Sequence, residues 1–505
     1  MQGLVLALLL LLGARMAEAY QARFGGGSMV GSLRSRSLCR RRGVVQHVKM
    51  GLASAPTGSS ESAQKQEQQH DPQTLVREAS SKLLSRFWEI DLQTKARMDK
   101  IIRLYDRERI DASAFHGVNG YGHGDMGREK LDVIIADLMG AEAALVRLQL
   151  FSGTHAISSA LFGCLRPGDN FLCVSGHPYD TLEEVIGLRD GSQTGSRVGS
   201  LMDWGIGYEE VDMIYGAAAE KLNNLKNGVA FDLDLIDRKL AQDPKIKLVH
   251  VQRSCGYQWR PSIPVQEIGR LCAHIQEKYK SQGRNLTIFV DNCYGELVED
   301  QEPCHVGADI IAGSLIKNLG GTLAPCGGYI AGRRDLVAAA TVHLSAPGVD
   351  GGATFNQYRS LFQGLFMAPA IVGESLKGAE LVAEVMQNRL GYPCNPPPGS
   401  LRTDIIQAVQ LGSRKKLISF CEAVQKRSPV GAHIRPVPGM TPGYGDEVIF
   451  ADGTFIDGST LELSCDGPLR EPFVAFSQGA THWTHWALVL EEALSRPSFS
   501  SPQPK

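Results

Sequence analysis

The sequence predicts an α/β protein: a large domain built on a mostly parallel, doubly wound sheet, followed by a smaller α+β domain. Three observations point there. Short apolar, β-rich runs alternate with helical stretches between Glu129 and Ala331, the pattern of buried strands joined by helical crossovers. After Pro347-Gly348 the pattern gives way to a long helical region, and strand-like runs return only near the C-terminus. The chain has 505 residues, more than one compact core accommodates, so two folded domains plus extensions are expected. With 43% hydrophobic and 21% charged residues the composition is that of a soluble globular protein. A formal net charge of −2 provides no broad basic field, which argues against nucleic acid or anionic lipid as a partner.

At the N-terminus, the apolar run Leu4–Leu12 is followed by Ala17-Glu18-Ala19, a small-x-small cleavage pattern, so residues 1–19 read as a secretory signal peptide. The run is too short to span a bilayer, and no membrane association is expected of the mature form. Residues 20–70 read as a transit-like segment and linker. Tyr20 to Ser60 contains no Asp or Glu and carries Arg23, Arg34, Arg36, Arg40, Arg41, Arg42 and Lys49 among Ser and Gly. A signal followed by a transit-like segment predicts a plastid protein; the alternative is a secreted or endomembrane protein with a basic arm. The 11 cysteines are odd in number and contain no CxxC pair, which predicts free thiols in a reducing compartment and no structural zinc. His123, His155 and His177 lack metal-ligand spacing, so no metal site is expected.

Asp71-Pro72 opens a helical arm over residues 71–115, with Val76, Leu83, Leu84, Phe87, Ile90 and Leu92 near helical spacing. The large domain is expected over 116–345. It begins with the glycine-rich Gly117–Gly124 and contains strands at Ala144–Leu148, Asn170–Val174, Lys247–Val251, Leu286–Val290, Ile310–Ala312 and Tyr329–Ala331. The small domain is expected over 346–495, with strands at Val448–Phe450 and Leu461–Leu463 and a helix near Trp486–Leu494. The Ser/Pro-rich tail 496–505 is expected to be disordered.

Chemistry concentrates after three of these strands. Asp291 follows the strand Leu286–Val290, at the end where ligands bind in open α/β sheets. Lys317 comes 26 positions later, after another strand and Gly313-Ser314. That spacing fits strand, crossover and strand, with both groups on one sheet edge. Leu315, Ile316 and Leu319 surround the lysine; burial among them is expected to lower its pKa, as a nucleophilic or Schiff-base lysine requires. An acid for a protonated pyridine nitrogen and an amine for an aldehyde are the pair that pyridoxal phosphate chemistry uses. Alone, the Asp reads more readily as a turn or helix-cap residue and the Lys as a snorkelling surface side chain; together they are far more specific than either. Ser152, Gly153 and Thr154 open a further helix, whose N-terminal N–H groups make a seat for phosphate.

Ser152-Gly-Thr-His-Ala-Ile157, His177-Pro-Tyr-Asp-Thr-Leu-Glu-Glu184, Asp291-Asn-Cys-Tyr-Gly-Glu296 and Ser314-x-x-Lys317 together resemble the fold-type I pyridoxal-phosphate (PLP) enzymes. More narrowly, they resemble the methionine γ-lyase-like family, also labelled aluminium resistance proteins. The resemblance runs from about Phe87 to Leu494. It implies a seven-stranded, mostly parallel sheet and PLP as cofactor. Gly153, Thr154 and Ser314 would hold its phosphate, Tyr179 would stack on its ring, Asp291 would pair with the ring nitrogen, and Lys317 would carry the Schiff base. Tyr121 would reach the phosphate of a neighbouring subunit, implying a homodimer or homotetramer. Arg470 would clamp the substrate α-carboxylate, and the stretch Gln252–Tyr257, with Arg253, would contact substrate or the ring oxygen. His123 stands where better-known lyases carry an arginine two residues after this tyrosine. The implied activity is a carbon–sulfur lyase on a sulfur-containing amino acid by β- or γ-elimination. Lys317 would act as base, and Tyr179 or Tyr121 would protonate the thiol. Transamination, racemisation or a catalytically inactive protein of the same fold are the alternatives.

Overall fold

The computed structural model describes residues 71–225, 228–349, 351–353 and 356–499. The segments 1–19 and 20–70 lie outside the described residues. Asp71 accepts a hydrogen bond from the Thr74 N–H at 3.1 Å, and with Pro72 behind it starts the helix Pro72–Lys82. The helix Leu84–Arg107 follows and buries Phe87, Ile90, Ile101 and Leu104. Leu84 and Leu92, expected on that stripe, are exposed, because the helical turn carries them to the far face.

The first half of the chain contributes β1 (Ala143–Arg147), β2 (Asn170–Cys173), β3 (Gly207–Glu210), β4 (Ile214–Tyr215), β5 (Val229–Ala230), β6 (Ile246–Gln252), β7 (Thr287–Asp291), β8 (Ile310–Ser314) and β9 (Gly328–Gly332). Strands β4 and β5 form a separate ribbon; the other seven form one sheet in the order β1-β9-β8-β7-β6-β2-β3. Strands β3, β2, β6, β7 and β8 pair in parallel, whereas β9 runs antiparallel to β8 and β1. Nearly every residue of β6 to β9 is buried, which is why these strands read as unbroken apolar runs. The parallel pairing has a functional consequence: the C-terminal ends of β2, β6, β7 and β8 open on one edge.

The second half adds β10 (Cys394–Asn395), β11 (Gln407–Gln410), β12 (Gly439–Met440), β13 (Glu447–Ala451), β14 (Ser464–Pro468) and β15 (Val474–Gln478), an antiparallel sheet in the order β10-β11-β15-β14-β13-β12. The strand expected at Leu461–Leu463 begins instead at Ser464. Glu462 accepts from the Phe455 and Ile456 N–H groups at 2.7 and 3.0 Å and holds a turn there. The described residues all belong to a single compact unit. The helix Tyr358–Ala383 runs through both halves: Leu361, Phe362 and Leu365 join the core of the large sheet, and Leu381, Val382 and Ala383 join that of the small one. The first residues of the expected disordered tail are also ordered. Arg496 is ion-paired with Glu422 and Glu492, and Phe499 packs on Tyr392 and Phe420.

Candidate active site

Lys317, Asp291 and Tyr179 line one cavity at the C-terminal edge of the large sheet. Asp291 ends β7, and its carboxylate accepts from the Cys293 N–H at 3.1 Å. Lys317 follows β8, and its ammonium lies over the Tyr294 ring, 3.9 Å from the centroid, a cation–π contact. Tyr294 has φ +71°, a left-handed backbone unusual for a tyrosine. Asn318, next to Lys317, donates to the carbonyls of Tyr294 and Glu296, each at 2.9 Å. That side chain staples the loop after β7 to the turn after β8 and imposes the conformation. Tyr179 is placed by its N–H, which donates to Gln252 Oε1 at 2.7 Å. Its hydroxyl lies 2.9 Å from that of Tyr444.

Gly153 brings the expected phosphate seat against the same edge. A Cβ on it would sit 3.1 Å from Ser314 Cβ and 3.4 Å from Cys293 Sγ, so only glycine allows this approach without displacement. Ser152 caps the helix Gly153–Cys164 by accepting from the His155 N–H at 3.1 Å, which leaves its own O–H available. Thr154 shares a 3.0 Å hydrogen bond with Thr181. These residues fit PLP on chemical grounds: a helix N-terminus without an obstructing Cβ for phosphate, and an acid and an amine converging on one aromatic-walled cavity.

The electrostatics reverse one expectation. Burial disfavours the Lys317 ammonium, but Cys293, Tyr294, Asp291 and Glu296 outweigh it and raise its pKa rather than lower it. Glu296 is pushed up to about 8 by burial. Its Oε1 accepts from the Tyr329 hydroxyl at 3.0 Å.

Two expected substrate contacts are corrected. Arg253 is fully buried and does not line the cavity. It donates to Asn292 Oδ1 at 2.7 Å and Glu299 Oε2 at 2.6 Å, with Glu302 at 3.5 Å, so its charge is spent bracing the loop behind Asp291. Arg470, 46% exposed in its side chain, pairs with Asp446 at 2.5 Å and also stands off the cavity. Tyr121 is 68% exposed, stacked on His123, and does not line its own chain's cavity. Sequence reasoning overlooked Asp466, Phe476 and Gln478, from β14 and β15, and Tyr294, which complete the wall. Asp466 lies four residues before Arg470, and nothing in its local sequence sets it apart from an ordinary strand or turn acid.

The methionine gamma-lyase family profile matches residues 72–498. The chain belongs to the methionine gamma-lyase family. Members of this family are carbon–sulfur lyase-like, PLP-dependent enzymes. The Bacillus subtilis protein YnbB is 45% identical over 388 residues, 76% of this chain and 87% of that protein. A carbon–sulfur lyase involved in aluminum resistance from Clostridium novyi superposes with a TM-score of 0.76 at 39% identity, covering 84% of this chain and 95% of that one. The Escherichia coli PLP-dependent protein YhfS, at 16% identity and a TM-score of 0.52 over 80% of this chain and 96% of its own, shares the fold. These comparisons correct the plastid assignment. The similar proteins come from Bacillus, Lactobacillus, Clostridium and Listeria, bacteria without plastids, and point to a cytoplasmic protein rather than a plastid-targeted one. The basic, acid-poor stretch lies outside the matched span, so the relatives lend it no support as an address.

Proposed function

We propose that this family member binds PLP through Lys317 and cleaves a carbon–sulfur bond of an amino-acid substrate. The observation that carries the reading is the convergence of Lys317 and Asp291 on one cavity walled by Tyr179 and Tyr294. When bound, PLP supplies an electron sink for the substrate Cα and a ring cation to balance Asp291. Gly153 and Thr154, with Ser152 and Ser314, hold the phosphate end. Tyr179 covers the ring, its orientation set by Gln252 and Tyr444. Asp291, which helps to retain the Lys317 proton, would be balanced by the ring cation, and Lys317 as the free amine would take the Cα proton. A second copy of the chain is proposed to bring Tyr121 to the phosphate.

The test is a visible absorption spectrum of the purified protein with PLP. The wild type is expected to develop a band that borohydride traps on Lys317, and Lys317→Ala to lack it. Asp291→Asn is expected to retain cofactor and lose at least about 100-fold in keto-acid and thiol production. Full activity in Asp291→Asn would falsify the pairing with the ring nitrogen.

A further inference from the structure

The wall of the cavity supplied by the second sheet carries an acid that the cycle above leaves unused. Asp466 on β14 faces the cavity together with Phe476 and Gln478 of β15. Gln478 Nε2 lies 3.4 Å from Asp466 Oδ2. Asp466 Oδ1 and the Tyr257 hydroxyl, neighbours on this wall, are both buried, and neither makes an aligned hydrogen bond in the described residues. The Tyr257 ring meets Tyr179 edge-on at 5.5 Å and lies 5.9 Å from Tyr444 and 5.2 Å from Phe476. Tyr179 and Tyr444 join hydroxyls at 2.9 Å. A carboxyl and three phenols therefore form one continuous patch beside Lys317.

We propose that Asp466, acting through Tyr257 and Tyr179, is the acid that protonates the sulfur leaving group; this rests on the carbon–sulfur lyase reading. The Cα proton passes to Lys317. The C–S bond breaks with its electron pair going to sulfur, and a phenol of the patch donates its proton to that sulfur. Asp466 returns a proton to the phenol, and the carboxylate regains one from solvent before the next turnover. The chemistry requires such a store. Burial holds Tyr179 and Tyr257 protonated far above neutrality, so neither phenol can remain ionised after giving up its proton. The groups facing Asp466 are Asp452, Tyr257, Lys317 and Gln478, with Tyr179, Tyr294, Tyr444 and Cys421 beyond them. Burial and Asp452 together push the Asp466 carboxyl up to about 7, so near neutrality it both gives up and takes back a proton.

The experiment pairs two substrates, an S-alkyl cysteine whose thiolate needs a proton to leave and an S-nitrophenyl cysteine whose thiolate does not. In Asp466→Asn, kcat is expected to fall about 100-fold with the alkyl substrate and less than about threefold with the nitrophenyl one. Tyr257→Phe, which keeps the ring and removes the hydroxyl, is expected to reproduce that split. Independently of turnover, the infrared carbonyl band of a protonated carboxyl should titrate near neutrality in the substrate-free wild type and be missing from Asp466→Asn. Equal losses with both substrates, no loss with either, or unchanged infrared spectra overturn the proposal while leaving the lyase reading intact. If the wild type releases no keto acid from either substrate, both fall.

Discussion

Replacing Arg253 by leucine separates a structural brace from a substrate clamp. In the folded chain the guanidinium is fully buried, donates to Asn292 and Glu299 at 2.7 and 2.6 Å, and lies 3.5 Å from Glu302. Gly295 packs against it with no room for a Cβ. Leucine occupies part of the volume but leaves Glu299 and Glu302 as neighbouring carboxylates without their cation. Removing one partner of a buried ion pair costs about 3–5 kcal/mol, and that loss is expected in urea unfolding at pH 8. The loss should shrink at pH 5.5. Burial already holds the Glu299 carboxyl above its ordinary value, and losing Arg253 removes the cation that opposes that rise, so the variant binds a proton there on folding. Its stability therefore falls as pH rises from the unfolded pKa through the folded one. Adding Glu299→Gln should recover part of the loss. A stability change under about 1 kcal/mol together with a large rise in KM for the amino acid would refute this reasoning and restore Arg253 to the substrate.

Arg470→Met is expected to change KM less than about twofold, because exposed ion pairs such as Arg470–Asp446 contribute only about 0–1 kcal/mol; a tenfold rise would return the arginine to the carboxylate. Gly153→Val should weaken PLP binding at least tenfold in a fluorescence titration with the circular dichroism unchanged, since its side chain would enter the space of Ser314 and Cys293; undiminished affinity would remove the phosphate from this helix end. Glu296, lifted to about 8 by burial, keeps a proton that the unfolded chain releases near its ordinary carboxylate pKa. It should therefore make the wild type progressively less stable from about pH 4.5 to 8. Glu296→Gln should flatten that slope, and parallel pH–stability curves for the two proteins would contradict the assignment.

Much of the architecture was legible from local pattern. Strands buried on both faces must be apolar throughout, so β1, β2, β6, β7, β8 and β9 announced themselves, and the 26-residue spacing placed Asp291 and Lys317 on one edge. Gly153 was singled out as part of a helix N-terminus, but its close approach to Ser314 and Cys293 emerged only in the fold. The edge strand β3 went unread because Gly207-Tyr-Glu-Glu210 is only partly buried and lacks an apolar run.

The tertiary structure alone decided the rest. Whether an arginine meets substrate or a neighbouring carboxylate depends on partners far away in sequence, and Arg253 and Arg470 met Glu299 and Asp446. The rise in the Lys317 pKa came from the sum of surrounding charges, which its apolar flanking residues do not reveal. Asp466 reaches the cavity because β14 pairs with β15 in a second sheet, where Asp466 sits opposite Phe476. Periodicity is set by neighbours along the chain and can be read from it. Charge, protonation and cavity walls are set by neighbours in space, and those exist only once the chain has closed on itself.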